Sequence, residues 1–114
     1  MSGITTHVLD VSIGKSAADI QVKLDRKTSD GKWEPVGSQK TDADGRAREL
    51  FPDGEPLSTA VHRLTFEVGL YFTERKVESF YQEVTIAFRV TDAAEHYHVP
   101  LLLSPFGYST YRGS

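Results

Sequence analysis

Apolar side chains recur at every second position in three segments of the chain, residues 20–25, 64–68 and 84–90. A period of two is typical of β-strands, because successive side chains point to opposite faces of a sheet. One face of each segment therefore packs inward and the other meets water. Several such strands joined by short connections predict an all-β fold, specifically an antiparallel β-sandwich.

Two Asp-Gly pairs, Asp30-Gly31 and Asp44-Gly45, lie between the strand-like segments. Asp-Gly supplies the positive φ angles that tight hairpin turns require. Each pair therefore predicts a hairpin.

A short helix is expected at residues 72–80. Thr73 can cap its start, and Val77 lies on the same side as Phe80. The segment is long enough for about two turns at most, so the helix is a minor element of the β fold.

The run Val-Pro-Leu-Leu-Leu at residues 99–103 does not alternate. Both faces of this strand carry apolar groups, whereas an antiparallel sheet normally leaves one face wet. A second copy of the chain is the expected cover, since closed homo-oligomers are the commonest arrangement of such subunits. Pro100 lacks a backbone donor, so a local break in the strand is expected there.

The composition is that of one ordinary globular domain spanning residues 1–114, with 39% hydrophobic and 25% charged residues. No apolar run approaches the roughly 20 residues that a membrane helix needs. A net charge of −3 with scattered Lys and Arg does not suit nucleic acid or an anionic membrane. Cysteine is absent, which excludes disulfides and thiolate sites, and no secretory signal pattern is present, so a cytoplasmic location is expected.

His96 and His98 are candidates for a shared site, because their spacing in an extended segment projects both side chains from one face. The same spacing occurs in zinc sites, but a complete site would need a third ligand such as His7 or a carboxylate. Two half-exposed surface histidines are the plain alternative. The chain has no cysteine and no His-Glu-x-x-His signature, so no metal is expected.

Arg46 directly follows the second Asp-Gly turn. An arginine there is often only solvated, but its five-donor fork suits a planar ligand rich in carbonyl oxygens better than a lysine would. Arg48 faces the same side two residues on, and Arg46 is the preferred candidate of the two. His62 matches no motif and is expected to be structural.

Two other chemical patterns are incomplete. Residues 42–45, Asp-Ala-Asp-Gly, start like a calcium loop but lack the later ligands, including the terminal Glu. Ser104 and Ser109 lie outside any Gly-x-Ser-x-Gly sequence, so a covalent acyl-enzyme is not expected.

The chain ends in Tyr-Arg-Gly-Ser at residues 111–114 and opens with Thr-His-Val-Leu-Asp at residues 6–10. These segments closely resemble the C-terminal and N-terminal signatures of the transthyretin-like 5-hydroxyisourate hydrolases. The resemblance covers nearly the whole chain, because residues 41–46 and 80–90 also fall in the family's order and approximate spacing. One position differs: the family usually has a proline where this chain has Ser16, which bears on the rigidity of that loop.

The resemblance implies a transthyretin-like sandwich of about eight strands with one short helix. It also implies a homotetramer, a dimer of dimers with active sites at the dimer–dimer interface. The implied catalytic residues are His7, His98 and Arg46. Arg46 would also bind substrate, as would the four residues of the tail, which are Tyr111, Arg112, Gly113 and Ser114.

The implied reaction is hydrolysis of 5-hydroxyisourate to 2-oxo-4-hydroxy-4-carboxy-5-ureidoimidazoline, a step of urate breakdown. A histidine that titrates near neutral pH can activate water without a metal or cofactor. Which of His7 and His98 is the base stays open, with His98 preferred.

Two alternatives of other classes remain. A non-catalytic carrier like transthyretin would share the fold and bind a small hydrophobic ligand, but it looks different at His7, Arg46, His98 and the tail. An immunoglobulin-like adhesion module would leave the histidines and the tail without a role. Fold alone does not separate these possibilities.

Overall fold

The computed structural model describes residues 3–52 and 54–114. Met1 and Ser2, which belong to the segment considered for a secretory signal, lie outside the described residues, as does Asp53. The elements in chain order are β1 (Ile4–Asp10), β2 (Lys15–Ser16), β3 (Gln21–Lys27), β4 (Trp33–Lys40), β5 (Arg46–Ala47), β6 (Val61–Phe66), α1 (Val68–Glu74), β7 (Val84–Arg89), β8 (Tyr97–Ser104) and β9 (Gly107–Thr110).

The strands form two sheets. The first has the order β2-β1-β8-β9, with β5 also paired to β1, and the second has the order β4-β3-β6-β7. Because β8 occupies one edge of β1, β2 and β5 follow one another along its other edge. Each sheet is therefore four strands wide, which confirms the predicted sandwich of about eight strands.

One strand pair departs from the antiparallel prediction. β1 and β8 run parallel in unbroken register from Ile4↔Tyr97 to Asp10↔Leu103, whereas the other pairs among the described residues are antiparallel. A parallel pair needs a long crossover, and here the whole second sheet lies between the two strands in the sequence. The first and last long strands thus lie side by side.

The core lies between the sheets and contains the alternating residues that the sequence indicated. Val22, Leu24, Leu64 and Phe66 are fully buried, and Val84 is nearly so. Burying a side chain of this size stabilises the fold by roughly 1.5–3 kcal/mol. The period of two therefore identified the inward faces of β3, β6 and β7 correctly.

The first Asp-Gly turn forms the predicted hairpin between β3 and β4, with Gly31 at φ 83. The second does not, because β4 and β5 belong to different sheets. Gly45, at φ 76, approaches β1 so closely that a Cβ there would lie 2.4 Å from the Val8 carbonyl oxygen. The turn carries the chain from one sheet to the other and delivers Arg46 to the edge of β1.

The helix lies earlier than the sequence predicted. It spans Val68–Glu74, and Thr73 is in its last turn rather than at its start. Its buried face contains Val68, Tyr71 and Phe72, at spacings of three and four that the strand-like pattern of residues 64–68 concealed. Lys76, at φ 58, lies just beyond its end. α1 is short, and no helix among the described residues is long and apolar enough to cross a membrane.

The break expected at Pro100 does not occur in β8, which continues from Tyr97 to Ser104. The Pro100 carbonyl accepts from the Thr110 hydroxyl at 2.6 Å, so its donorless nitrogen also faces the β9 side. β9 ends at Thr110, opposite Leu101, and the proline falls just past this last pair. The interruption is therefore in the pairing between β8 and β9, not in β8.

Candidate active site

A cleft of about 380 Å³ opens on the outer face of the first sheet. Its lining residues come from β1, from β5 and β8 with the residues beside them, and from the tail, and they are Thr5, Thr6, Arg46, Arg48, His96, His98 and Ser114. Strand register brings them together, because Thr5 pairs with His98 and His7 pairs with Arg46. The parallel pairing of β1 and β8 thus assembles the cleft from both ends of the sequence.

His98 is half-buried and held from two sides. Its Nδ1 lies 2.9 Å from the Thr5 hydroxyl oxygen. On its other side the Gly113 N–H donates to the His98 carbonyl at 2.8 Å. Burial lowers the pKa of His98, and Arg46 and the neighbouring histidines lower it further. A neutral imidazole is therefore the dominant form at neutral pH.

His96 shares the site with His98, as their spacing suggested. Its Nε2 lies 2.9 Å from the same Thr5 hydroxyl oxygen. The two rings therefore meet at one side chain from the neighbouring strand.

His7 lies beside the cleft on the same outer face, paired across the strands with Arg46. Its Nε2 is 3.5 Å from the Ser16 hydroxyl, at the position where the resembled family usually has proline. Burial lowers the pKa of His7, and the Arg46 guanidinium lowers it further. Both candidate catalytic histidines, His7 and His98, therefore lie near enough to the Arg46 guanidinium for its charge to lower their pKa values.

Arg46 and Arg48 both line the cleft, but they differ in their partners. Arg48 forms an ion pair with Asp42, with Nη1 and Oδ2 3.6 Å apart. The Arg46 guanidinium has no ion pair among the described residues, while its backbone N–H donates to the Asp42 carboxylate at 3.0 Å. Asp42 therefore anchors the turn and restrains Arg48, which leaves the Arg46 fork free for an anionic or carbonyl-rich ligand.

The tail does not enter the cleft as a unit. Ser114 lines it, and Gly113 packs on His98. Arg112 turns away, because its guanidinium bonds Glu95 at 2.7 Å and stacks 4.5 Å from the centre of the Tyr97 ring. Together with Tyr111 it lines a second cavity of about 150 Å³ at the edge between β7 and β9. Within one chain, then, only part of the tail lies at the histidines.

Thr5 and Thr6 line the cleft and are site residues that sequence reasoning missed. A threonine in a strand has no chemical signature of its own, and Thr5 stands 93 positions from His98. Only the register of the parallel pair, which the sequence did not reveal, would have placed the two side by side.

No group of three or more histidine, cysteine, aspartate or glutamate side chains that could hold a metal is found in residues 3–52 and 54–114. What the cleft offers is an imidazole with a lowered pKa, a free guanidinium and a hydroxyl. These groups can accept a proton from water and stabilise an oxyanion.

Comparison with known proteins gives relatives over the whole chain. The 5-hydroxyisourate hydrolase of Caulobacter vibrioides is 44% identical over 119 residues and covers 100% of both chains. The 5-hydroxyisourate hydrolase of Salmonella dublin is 40% identical over 111 residues, which are 97% of this chain and 80% of the relative.

Two solved structures have the same fold and thereby confirm the predicted transthyretin-like sandwich. Transthyretin from Sparus aurata gives a TM-score of 0.92 at 28% identity, covering 99% of this chain and 97% of the other. The 5-hydroxyisourate hydrolase of Klebsiella pneumoniae gives 0.85 at 35% identity, covering 100% and 94%. A model of the HIUase/Transthyretin family matches residues 4–113, and the chain therefore belongs to that family.

Proposed function

We propose that this protein hydrolyses 5-hydroxyisourate, opening its six-membered ring to give 2-oxo-4-hydroxy-4-carboxy-5-ureidoimidazoline. The observation that carries the proposal is the meeting of His98, the free Arg46 guanidinium and Ser114 in one cleft. Relatives named 5-hydroxyisourate hydrolase at 40% and 44% identity support it.

His98 is proposed as the general base. Its lowered pKa keeps the imidazole neutral at neutral pH, so that it can take a proton from water. The water oxygen then bonds to the ring carbonyl carbon, the C–N bond breaks, and the departing nitrogen receives the proton. General-base catalysis of this kind contributes roughly 10²–10⁴ to the rate, and the step requires no metal or cofactor.

Arg46 is proposed to stabilise the negative charge that develops on the attacked carbonyl oxygen. Arg46 is half-buried, and Asp42 holds the turn before it, so little reorganisation is needed during the reaction. His7, next to Arg46, would orient the water or shuttle its proton. Ser114 and Gly113 would fix the substrate against His98.

The proposed assembly is a homotetramer, a dimer of dimers with the cleft at the dimer–dimer interface. In a single chain several large apolar side chains are strongly exposed, among them Val11, Ile13, Phe106 and Tyr111. A second subunit would cover such a surface. It would also give Tyr111 and Arg112, which point away from the cleft of their own chain, a way to contribute to a neighbouring one. A cytoplasmic location stays a prediction, which cell fractionation would test.

The carrier alternative has one observation in its favour. The TM-score to a transthyretin, 0.92, exceeds that to a hydrolase, 0.85. Sequence identity, in contrast, is lower to the transthyretin, at 28%, than to the hydrolase, at 35%. Because function resides in the site rather than in the fold, the histidines and the free arginine favour hydrolysis.

The deciding experiment generates 5-hydroxyisourate freshly with urate oxidase and follows its ultraviolet absorbance at neutral pH. Native protein should speed the decay well beyond the blank, and His98→Asn should remove the acceleration. Lys23→Gln, an exposed change on β3 of the second sheet, serves as the control and should behave as native. A native rate equal to the blank would contradict the proposal and direct attention to the carrier alternative.

A further inference from the structure

Among the described residues, Thr5 is the only one whose side chain lies within hydrogen-bond distance of both cleft histidines. Its hydroxyl oxygen is 2.9 Å from His96 Nε2 and 2.9 Å from His98 Nδ1. Thr5 is 7% exposed, so bulk water has little access to this junction. A hydroxyl has one proton to donate and lone pairs to accept with. Thr5 can therefore donate to one ring only, and the other ring must donate to Thr5.

Two arrangements satisfy both contacts when the rings are neutral. In the first, Thr5 donates to His96 Nε2 and accepts from His98 Nδ1–H, which leaves the His98 Nε2 lone pair free. In the second, Thr5 donates to His98 Nδ1 and accepts from His96 Nε2–H, which puts the His98 proton on Nε2. Only in the first can His98 Nε2 take a proton from water.

We propose that Thr5 is a positioning residue that couples the tautomers of His96 and His98 and holds His98 with Nδ1 protonated and Nε2 free. This inference rests on the proposed function for its catalytic meaning, but the coupling itself is a property of the unliganded protein.

The packing of the His98 ring fixes which nitrogen faces Thr5. Nδ1 lies 2.9 Å from the Thr5 hydroxyl oxygen, so a proton held on Nδ1 is directed at an acceptor. Gly113 packs against the His98 ring near Cδ2 and limits its rotation. The ring is thus held between β1 and the tail, with Nδ1 directed to Thr5.

The coupling makes His96 a second positioning residue. A proton added to His96 Nε2 would have to be donated to Thr5, and Thr5 would then donate to His98 Nδ1. For this, His98 takes up a proton at Nε2 and gives up its Nδ1 proton to Thr5, which passes its own proton to His96, so His98 loses its free Nε2 without becoming charged. The other charged or titratable groups near the junction, Arg46, Arg48, His7 and Ser114, act through space and do not share this proton.

The test compares Thr5→Val, which keeps the branched shape without the hydroxyl, with Thr5→Ser, which keeps the hydroxyl. Thr65→Val on the second sheet is the control, since Thr65 is a half-buried threonine on β6, away from the cleft. The ¹⁵N chemical shifts of the imidazoles report the tautomers without any substrate. We expect native protein and Thr5→Ser to show His98 protonated at Nδ1, and Thr5→Val to show a mixture.

Turnover provides the second readout. Thr5→Val should lower kcat by about 10-fold or more with little change in KM, because the ring loses its productive orientation. Thr5→Val should also change the acid limb of the pH profile of kcat, whereas Thr5→Ser and Thr65→Val should follow the native pH profile. A purely packing role for Thr5 would not produce this difference between the valine and serine variants.

The inference is overturned if native protein shows His98 protonated at Nε2, or if Thr5→Val leaves the ¹⁵N shifts of both rings unchanged. Failure of the proposed function would look different. The native protein would not hydrolyse 5-hydroxyisourate, while the ¹⁵N shifts would still answer the question about Thr5.

Discussion

Gly113 packs so closely on His98 that a Cβ at position 113 would lie 2.7 Å from the imidazole Cδ2. The same Cβ would lie 3.3 Å from Pro100 Cγ, and Pro100 is a rigid ring within β8. The histidine would therefore have to move rather than its neighbour. Because Gly113 has no side chain, the tail can lie directly against His98, the proposed base.

Gly113→Ala should reduce kcat/KM by about 10- to 100-fold, because the displaced imidazole no longer meets the water and substrate in the productive geometry. The melting temperature should change little, since the tail contributes little to the core. Gly107→Ala is the matched control, as a Cβ there would meet only Ser104 Oγ at 3.7 Å. Equal activity of the two variants would argue against a tight contact on His98.

Arg46→Lys should lower kcat by about 10²-fold, because a point charge replaces a preorganised donor fork. Steady-state kinetics with fresh substrate would measure the loss. Arg63→Lys is the control, since Arg63 pairs with Asp25 on the other sheet. If Arg46→Lys kept native turnover while Arg48→Lys did not, the role assigned to Arg46 would belong to Arg48.

Deletion of residues 111–114 should abolish turnover while the assembly stays folded. The deletion removes Ser114 from the cleft and Gly113 from the His98 ring, but it leaves β8 and β9 in place. Size-exclusion chromatography with light scattering checks the assembly, and circular dichroism checks the fold. Full activity of the truncated chain would refute the site assignment.

His62 should make stability depend on pH. It is fully buried, its Nδ1 lies 3.1 Å from the Ala60 carbonyl oxygen, and its Nε2 has no hydrogen-bond partner among the described residues. Burial lowers the pKa of His62 in the fold. The unfolded chain therefore binds a proton at higher pH than the folded chain does, and the free energy of unfolding decreases as pH falls below about 6.5.

Urea denaturation of native protein and His62→Leu between about pH 5 and 8 would test this sign. The variant should be less stable at the alkaline end because of the altered packing, but its stability should fall less steeply on acidification. His7 and His98 also have lowered pKa values, so part of the slope should remain. Parallel pH profiles for the two proteins would exclude a contribution from His62.

The elements that the sequence predicted well are those with a local signal. The alternating cores of β3, β6 and β7 and the turn at Gly31 depend on neighbours in the chain. The helix was misplaced because Val68 continues the alternation of β6 and also begins the buried face of α1. The second Asp-Gly turn has the local geometry of a hairpin, but the strands beside it belong to different sheets.

The site was only partly predictable for the same reason. The two-residue spacing of His96 and His98 predicts that they share a site. Thr5 and His98 meet only through a parallel register that no local pattern encodes. The resemblance to a known family supplied the role of Arg46 and the candidacy of the tail. It did not indicate that Arg112 turns toward Glu95 and Tyr97.

The parallel pair of β1 and β8 has a consequence for how the protein reaches its active form. Its partners are separated by most of the chain, whereas the second sheet joins β3 to β4 and β6 to β7 with much shorter separations. Contacts between distant residues close large loops and form slowly. In a refolding experiment the second sheet should gain protection from hydrogen exchange first, and catalytic activity should return only with the last kinetic phase.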